Sequence, residues 1–231
     1  MADRAAAGDV ESQYGLALMY YKGEGVRQDY EKSAKWYRAA AEQGDVFSQY
    51  FLGLMYTNGR GVEEDLTEAF RWHKKAAEQG YVEAQYNVAL MYREGKGVKK
   101  DPVQAFTWYK AAAEQGDSSA QLHLANMYSE GAGVSQNYSK AVYWYQKAGE
   151  QGHAEARQKL GFLFSEGKGV KKDIEFAIGW FFQAGLAYLK RGNEQGINYI
   201  VEQIRRLDPS HKKADRLLKM FATGKSVAKP K

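Results

Sequence analysis

Three Ser-x-x-Lys tetrads, Ser165 to Lys168, Ser210 to Lys213 and Ser226 to Lys229, have the spacing at which a nearby amine activates a serine hydroxyl for acyl transfer. That chemistry also needs Ser-Asp-Asn and Lys-Thr-Gly partners, and neither occurs in the 231 residues. Five Gly-x-Gly pairs begin at Gly23, Gly59, Gly95, Gly131 and Gly167. Such glycines can bring backbone N–H groups onto a phosphate, but no third glycine completes a dinucleotide fingerprint and no strand precedes any pair. The four histidines, His73, His123, His153 and His211, never fall at i, i+4, so no helical metal pair is present. Zero cysteines exclude thiol nucleophiles, disulfides and thiolate metal sites. No catalytic residue, cofactor or metal is therefore expected.

The chemistry-bearing residues fall on a repeat. Tryptophan occurs at Trp36, Trp72, Trp108, Trp144 and Trp180, always 36 residues apart, and the Gly-x-Gly pairs keep the same interval. Five units follow, 8–43, 44–79, 80–115, 116–151 and 152–187. Glycines at one fixed phase are better explained as inter-helix turns requiring positive φ than as five phosphate cradles.

Each unit is expected to be two helices. In the first, Ser12, Leu16, Met19 and Tyr20 recur as Ser48, Leu52, Met55 and Tyr56 and as Ala84, Val88, Met91 and Tyr92, one stripe at helical spacing. Ala17, Gly53, Ala89, Ala125 and Gly161 keep a neighbouring position small. The second helix should open at Asp29, Asp65, Asp101, Asn137 and Asp173, all good N-caps. Asp65 with Glu68 and Asp101 with Gln104 resemble reciprocal capping boxes. The second helix is expected to bury Trp36, Tyr37 and Ala40, and likewise Trp108, Tyr109 and Ala112, and to stop at a Gln-Gly pair such as Gln43-Gly44. A lone helix pair cannot cover its apolar face, so pairs must stack.

The pattern Ala-x3-Leu-(Gly/Ala)-x-Met-Tyr-x2-Gly-x-Gly-Val-x2-Asp, followed by Ala-x2-Trp-(Tyr/His)-x2-Ala-Ala-Glu-Gln-Gly, is shown almost without departure by Ala84 to Gly116. It resembles the SLR (Sel-one-like repeat) family, relatives of tetratricopeptide repeats. The resemblance implies an all-α, right-handed solenoid and an adaptor or scaffold role, with no family-wide catalytic residue. It also implies a contrast, because some bacterial relatives carry a disulfide in each repeat. Residues 188–231 depart from the pattern, look more like a degenerate tetratricopeptide unit, and read as a C-terminal helical cap continuous with the array.

The formal charge of +5 is uneven: residues 188–231 hold 11 basic and 4 acidic side chains, leaving 22 and 24 in residues 1–187. The basicity thus belongs to the cap, including His211 to Lys219 and the tail Lys225 to Lys231, and nucleic acid is not expected as a partner. The longest apolar run, Phe176 to Leu189, is interrupted by Gln183 and falls short of the roughly 20 residues of a spanning helix. The expected compartment is the cytoplasm, or the periplasm or exterior if an upstream signal peptide has been removed. Arg4 to Asp9 does look like the end of an earlier second helix.

Comparing the units separates positions the architecture dictates from those it leaves free. Gly15, Phe51, Asn87, His123 and Lys159 occupy the freest first-helix position, flanked by Glu11, Phe47, Glu83, Ser119 and Glu155 at i−4 and by Leu18, Leu54, Leu90, Asn126 and Phe162 at i+3. First helices usually line the concave wall of a solenoid. The expected function is a monomeric, non-enzymatic interaction module that binds a peptide or protein segment through Phe47, Phe51, Asn87, His123, Asn126 and Lys159. The alternatives are a penicillin-recognising serine enzyme and an RNA binder acting through the basic cap.

Overall fold

The computed structural model describes residues 1–227, and all regular structure among them is helical. The chain forms two compact units, residues 1–115 and residues from 116 onward. In the first unit, α1 (Ala2–Ala6) precedes three helix pairs: α2 (Val10–Lys22) with α3 (Tyr30–Glu42), α4 (Val46–Asn58) with α5 (Leu66–Glu78), and α6 (Val82–Glu94) with α7 (Pro102–Glu114). The second unit holds α8 (Ser118–Glu130) with α9 (Tyr138–Glu150), then α10 (Ala154–Glu166) with α11 (Ile174–Lys190), and finally α12 (Glu194–Leu207) and α13 (Lys212–Val227). Within each unit consecutive helices pack on one another, so the fold is an all-α solenoid. Residues 228–231 of the expected basic tail lie outside the described residues.

The second-helix starts are as the sequence predicts. Asp29, Asp65, Asp101, Asn137 and Asp173 each accept a hydrogen bond from a first-turn backbone N–H. The capping boxes are only half formed. Each cap's own N–H donates to the preceding helix, Asp65 to the Tyr56 carbonyl and Asp101 to that of Tyr92. Glu68 is thereby released to pair with Arg71. In the first unit α3 ends in a Schellman turn, with Gly44 donating to Ala41, Asp45 to Ala40 and Gly44 at φ 95°, and α5 ends likewise at Gly80 and Tyr81.

Burial corrects one expectation. Tyr37 and Tyr109 are completely enclosed, whereas Trp36, Trp108, Trp144 and Trp180 stay half-buried and only Trp72 is sealed. One residue is about 100° of helical rotation. The tyrosine therefore points at the small first-helix residues, while the tryptophan turns aside, Trp108 packing on Ala76 and Ala77 of the preceding repeat as well as on Ala84 and Val88 of its own. The small position is required by contact: a Cβ on Gly53 would lie 2.7 Å from the His73 ring, and one on Gly161 would lie 2.7 Å from Phe181.

Candidate functional site

The Ser-x-x-Lys tetrads are dispersed into local structure. Ser165 Oγ donates to the Phe162 carbonyl while Lys168 pairs with Glu166 at 2.7 Å. Ser210 Oγ donates to Asp208, and Lys213 pairs with Glu175 at 2.9 Å. The side chain of Ser226 lies outside the described residues. None of the described serines faces its lysine as a nucleophile would face a base. Among the described residues no cluster of three His, Asp or Glu side chains is placed to hold a metal.

The second glycines of two Gly-x-Gly pairs, Gly61 and Gly97, have a structural task. A Cβ on Gly61 would lie 2.0 Å from the Tyr30 carbonyl oxygen, and one on Gly97 would lie 1.9 Å from that of Leu66. These glycines let the loop of one repeat touch the start of the preceding repeat's second helix.

In the first unit the expected ridge carries a chain of aromatic rings. Phe47 on α4 is 45% exposed, and its ring lies 6.0 Å from Tyr14 of α2 and 5.5 Å from Tyr81, the residue preceding α6. Tyr81 meets Tyr50 at 4.9 Å, and Tyr50 meets Phe51 at 5.6 Å. Phe51 is more deeply engaged, stacked on Tyr37 at 5.4 Å with the planes 13° apart. It is both a packing residue and a wall of the ridge. Asn87 of α6 sits beside the Tyr50 hydroxyl and works against a rise in its pKa. Burial pushes the Tyr14, Tyr50 and Tyr81 hydroxyls above the ordinary phenol value, with Asp45 adding to the rise at Tyr14 and Glu83 at Tyr50 and Tyr81. The row is thus neutral, apolar in body and polar at its tips.

The second unit carries the other expected residues, and all three are half-buried. Asn126 Oδ1 accepts a 2.5 Å hydrogen bond from the Tyr145 hydroxyl. His123 and Lys159 stand on α8 and α10 at the equivalent helical position.

A cavity of about 170 Å³ opens beside the aromatic row, lined by Leu54 and Thr57 of α4, Leu66 and His73 of α5, and Asn87, Leu90, Met91 and Glu94 of α6, with Lys96 beyond them. His73 is 2% exposed and its Nδ1 is enclosed without a hydrogen-bond partner. Burial lowers its pKa to about 4, so the ring is neutral at pH 7.

Sequence reasoning missed this cavity, and it missed a glutamine ladder as well. Gln43 Nε2 donates to Gln13 Oε1 at 2.8 Å and to the Gly8 carbonyl, while Gln13 donates to Ala5. The arrangement recurs with Gln79, Gln49 and Ala41, and with Gln115, Gln85 and Ala77. Gln151 donates likewise to Gln121 and Gly116 in the second unit. The signal was available, because both glutamines recur at 36 residues until Arg157 and Ala187 replace them.

Paired helices with small-residue contacts between them define an α/α repeat protein. The family comparison agrees: the Sel1 repeat matches residues 10–45, 46–81, 82–117, 118–153 and 154–196, and the chain belongs to the Sel1 repeat family. Among solved structures it is similar to c5321, a protective antigen of uropathogenic Escherichia coli strains displaying an SLR fold, at 34% identity over 96% of this chain and 48% of that one, with TM-score 0.84. The chain therefore spans about half the length of that relative. It is also similar to a Sel1 repeat protein from Oxalobacter formigenes, at 30% identity over 93% of this chain and 88% of the other, with TM-score 0.79. No curated protein sequence matches significantly. Family members are typically interaction scaffolds, and no helix among the described residues is long and apolar enough to cross a membrane.

Proposed function

We propose that the protein is a non-enzymatic interaction module that captures a peptide or protein segment on its first-helix faces. In the first unit the surface comprises Phe47, Phe51 and Asn87; in the second it comprises His123, Asn126 and Lys159. The observation that carries this reading is the row Tyr14, Phe47, Tyr81 and Tyr50, rings in edge or tilted contact with their outer parts left accessible. Aromatic side chains give large contact area for little conformational entropy and dominate the energetic centres of interfaces. The near balance of charge over residues 1–187 suits a polypeptide partner better than a polyanion.

Phe47 is the informative residue, because truncating it removes accessible surface while leaving the stack of Phe51 on Tyr37 in place. Peptides selected from a random display library on the intact chain should bind Phe47→Ala and Asn87→Ala at least about tenfold more weakly, a loss near 1.4 kcal/mol. Undiminished binding by both variants would overturn the placement.

A further inference from the structure

The 36-residue repeat gives the His73 cavity an internal standard. Its position is occupied by Tyr37, Tyr109 and Tyr145 in the first, third and fourth repeats, and all three tyrosines are buried. In the fourth repeat the phenol is satisfied internally, with Tyr145 donating to Asn126 at 2.5 Å. The second repeat replaces both members of that pair: His73 stands for the tyrosine and Leu54 for the asparagine. The imidazole does not reach as far as a phenol, and a cavity of about 170 Å³ lies beside it. That size is comparable with the roughly 150 Å³ space that accepts benzene in a protein interior.

Most of the polar groups around the cavity are already engaged. Thr57 donates to the Gly53 carbonyl, and Glu94 is held by Arg93 at 3.0 Å and Lys96 at 2.8 Å. His73 Nδ1 is closed off against Gly53 without a partner, so the ring meets the cavity through its other edge, at Nε2. Leu54, Leu66, Leu90 and Met91 supply apolar walls. A group suited to this space has a flat apolar body and one uncharged hydroxyl. A carboxylate or ammonium would have to compete with the ion pair that already joins Glu94 to Lys96, and a plain hydrocarbon would offer the accessible edge of the imidazole no hydrogen bond.

We propose that the cavity receives a tyrosine side chain of the captured segment, its ring between Leu54, Leu66, Leu90 and Met91 and its hydroxyl against the His73 imidazole. The incoming residue supplies in trans the phenol that three other repeats carry in cis. This specificity rests on the peptide-capture reading above and adds the residue type that is selected. Being neutral, His73 has one N–H and one lone pair, so its ring can serve a phenol as donor or acceptor according to tautomer.

The test uses the full chain with side-chain analogues, p-cresol for tyrosine and toluene for phenylalanine, followed by the His73 ring nitrogens in ¹⁵N NMR. Saturable p-cresol binding that shifts those signals is expected, with toluene about tenfold weaker. His73→Tyr, a residue the architecture accepts at three equivalent positions, should keep the fold and lose the p-cresol site. Absence of saturation, toluene binding as tight as p-cresol, or p-cresol binding unchanged in His73→Tyr would each overturn the proposal. The library-selected peptides separate this failure from that of the wider reading. If Phe47→Ala weakens them but His73→Tyr and a Tyr→Phe change in the peptide do not, the surface stands and the tyrosine receptor falls. If His73→Tyr and the peptide change weaken binding while Phe47→Ala and Asn87→Ala do not, the receptor stands alone.

Discussion

His73 makes a test at the scale of one residue. The unfolded chain takes up its proton near pH 6.5, and the folded chain only near pH 4. Between these values the unfolded state binds more protons, so the histidine's contribution to stability is present above pH 6.5 and is lost as pH falls through 4. The loss is on the order of 3 kcal/mol. His73→Tyr should flatten this part of the stability curve, measured by urea denaturation at pH 7 and pH 4. Burial also lowers His153, but it is common to both proteins and cancels in the difference. Neighbouring positions sort by burial in the same way. Tyr109→Ala should cost about 3–5 kcal/mol and Trp108→Ala less, because only the tyrosine is fully enclosed. Thermal melts giving the reverse order would contradict the assignment of inward and neighbour-facing sides.

At the scale of the helix pair, the glycines divide into two kinds. Gly80 needs only its φ of 90°, with open space around a would-be Cβ, whereas Gly97 is pressed against the Leu66 carbonyl. Gly97→Ala should therefore be about 1–3 kcal/mol more destabilising than Gly80→Ala in equilibrium unfolding. The glutamine ladder predicts coupling as well: a double-mutant cycle on Gln49→Ala and Gln79→Ala should give an interaction of about 0.5–3 kcal/mol, since one amide accepts from the other. Additive effects would show the ladder to be energetically idle. Much of the pair was legible beforehand. The 36-residue period, the Asp and Asn caps and the Gln-Gly stops all follow from local backbone chemistry, which a sequence displays directly. The capping boxes were misjudged because Asp65 and Asp101 send their N–H groups to carbonyls 9 residues back, a tertiary choice that the Asp-x-x-Glu spacing does not reveal. The tryptophans were misjudged because periodicity gives a face but not which neighbour covers it.

For the whole molecule, the charge asymmetry and the last two helices, α12 and α13, belong together. In the second unit Ile178, Phe181 and Phe182 of α11 form one cluster with Ile197, Ile200 and Ile204 of α12 and Leu217 of α13. Outside that apolar seam the basic residues are partly neutralised, Arg205 by Asp215 and Arg206 by Glu202. Truncation after Arg191 should therefore expose the seam and give a less stable, aggregation-prone chain, as read by light scattering and thermal melting. A truncated protein as stable and monodisperse as the full chain would refute the capping role. The ridge residues could be nominated from sequence because variability between copies exposes what architecture leaves free. The cavity could not, because its walls are drawn from α4, α5 and α6 and meet only once those helices are in place.

The glutamine ladder also bears on how such a chain can grow. Gln79 reaches Gln49 and Gly44 inside its own unit, while Gln49 reaches back to Ala41 in the unit before. A copied stretch of 36 residues thus carries its own internal joint and one hook for whatever precedes it. The fifth copy keeps a hook, Arg157 to the Gly149 carbonyl, but Ala187 offers no amide to complete the joint. The chain thereby holds interchangeable links in its first four copies, and lengthening by duplication is compatible with their bonding.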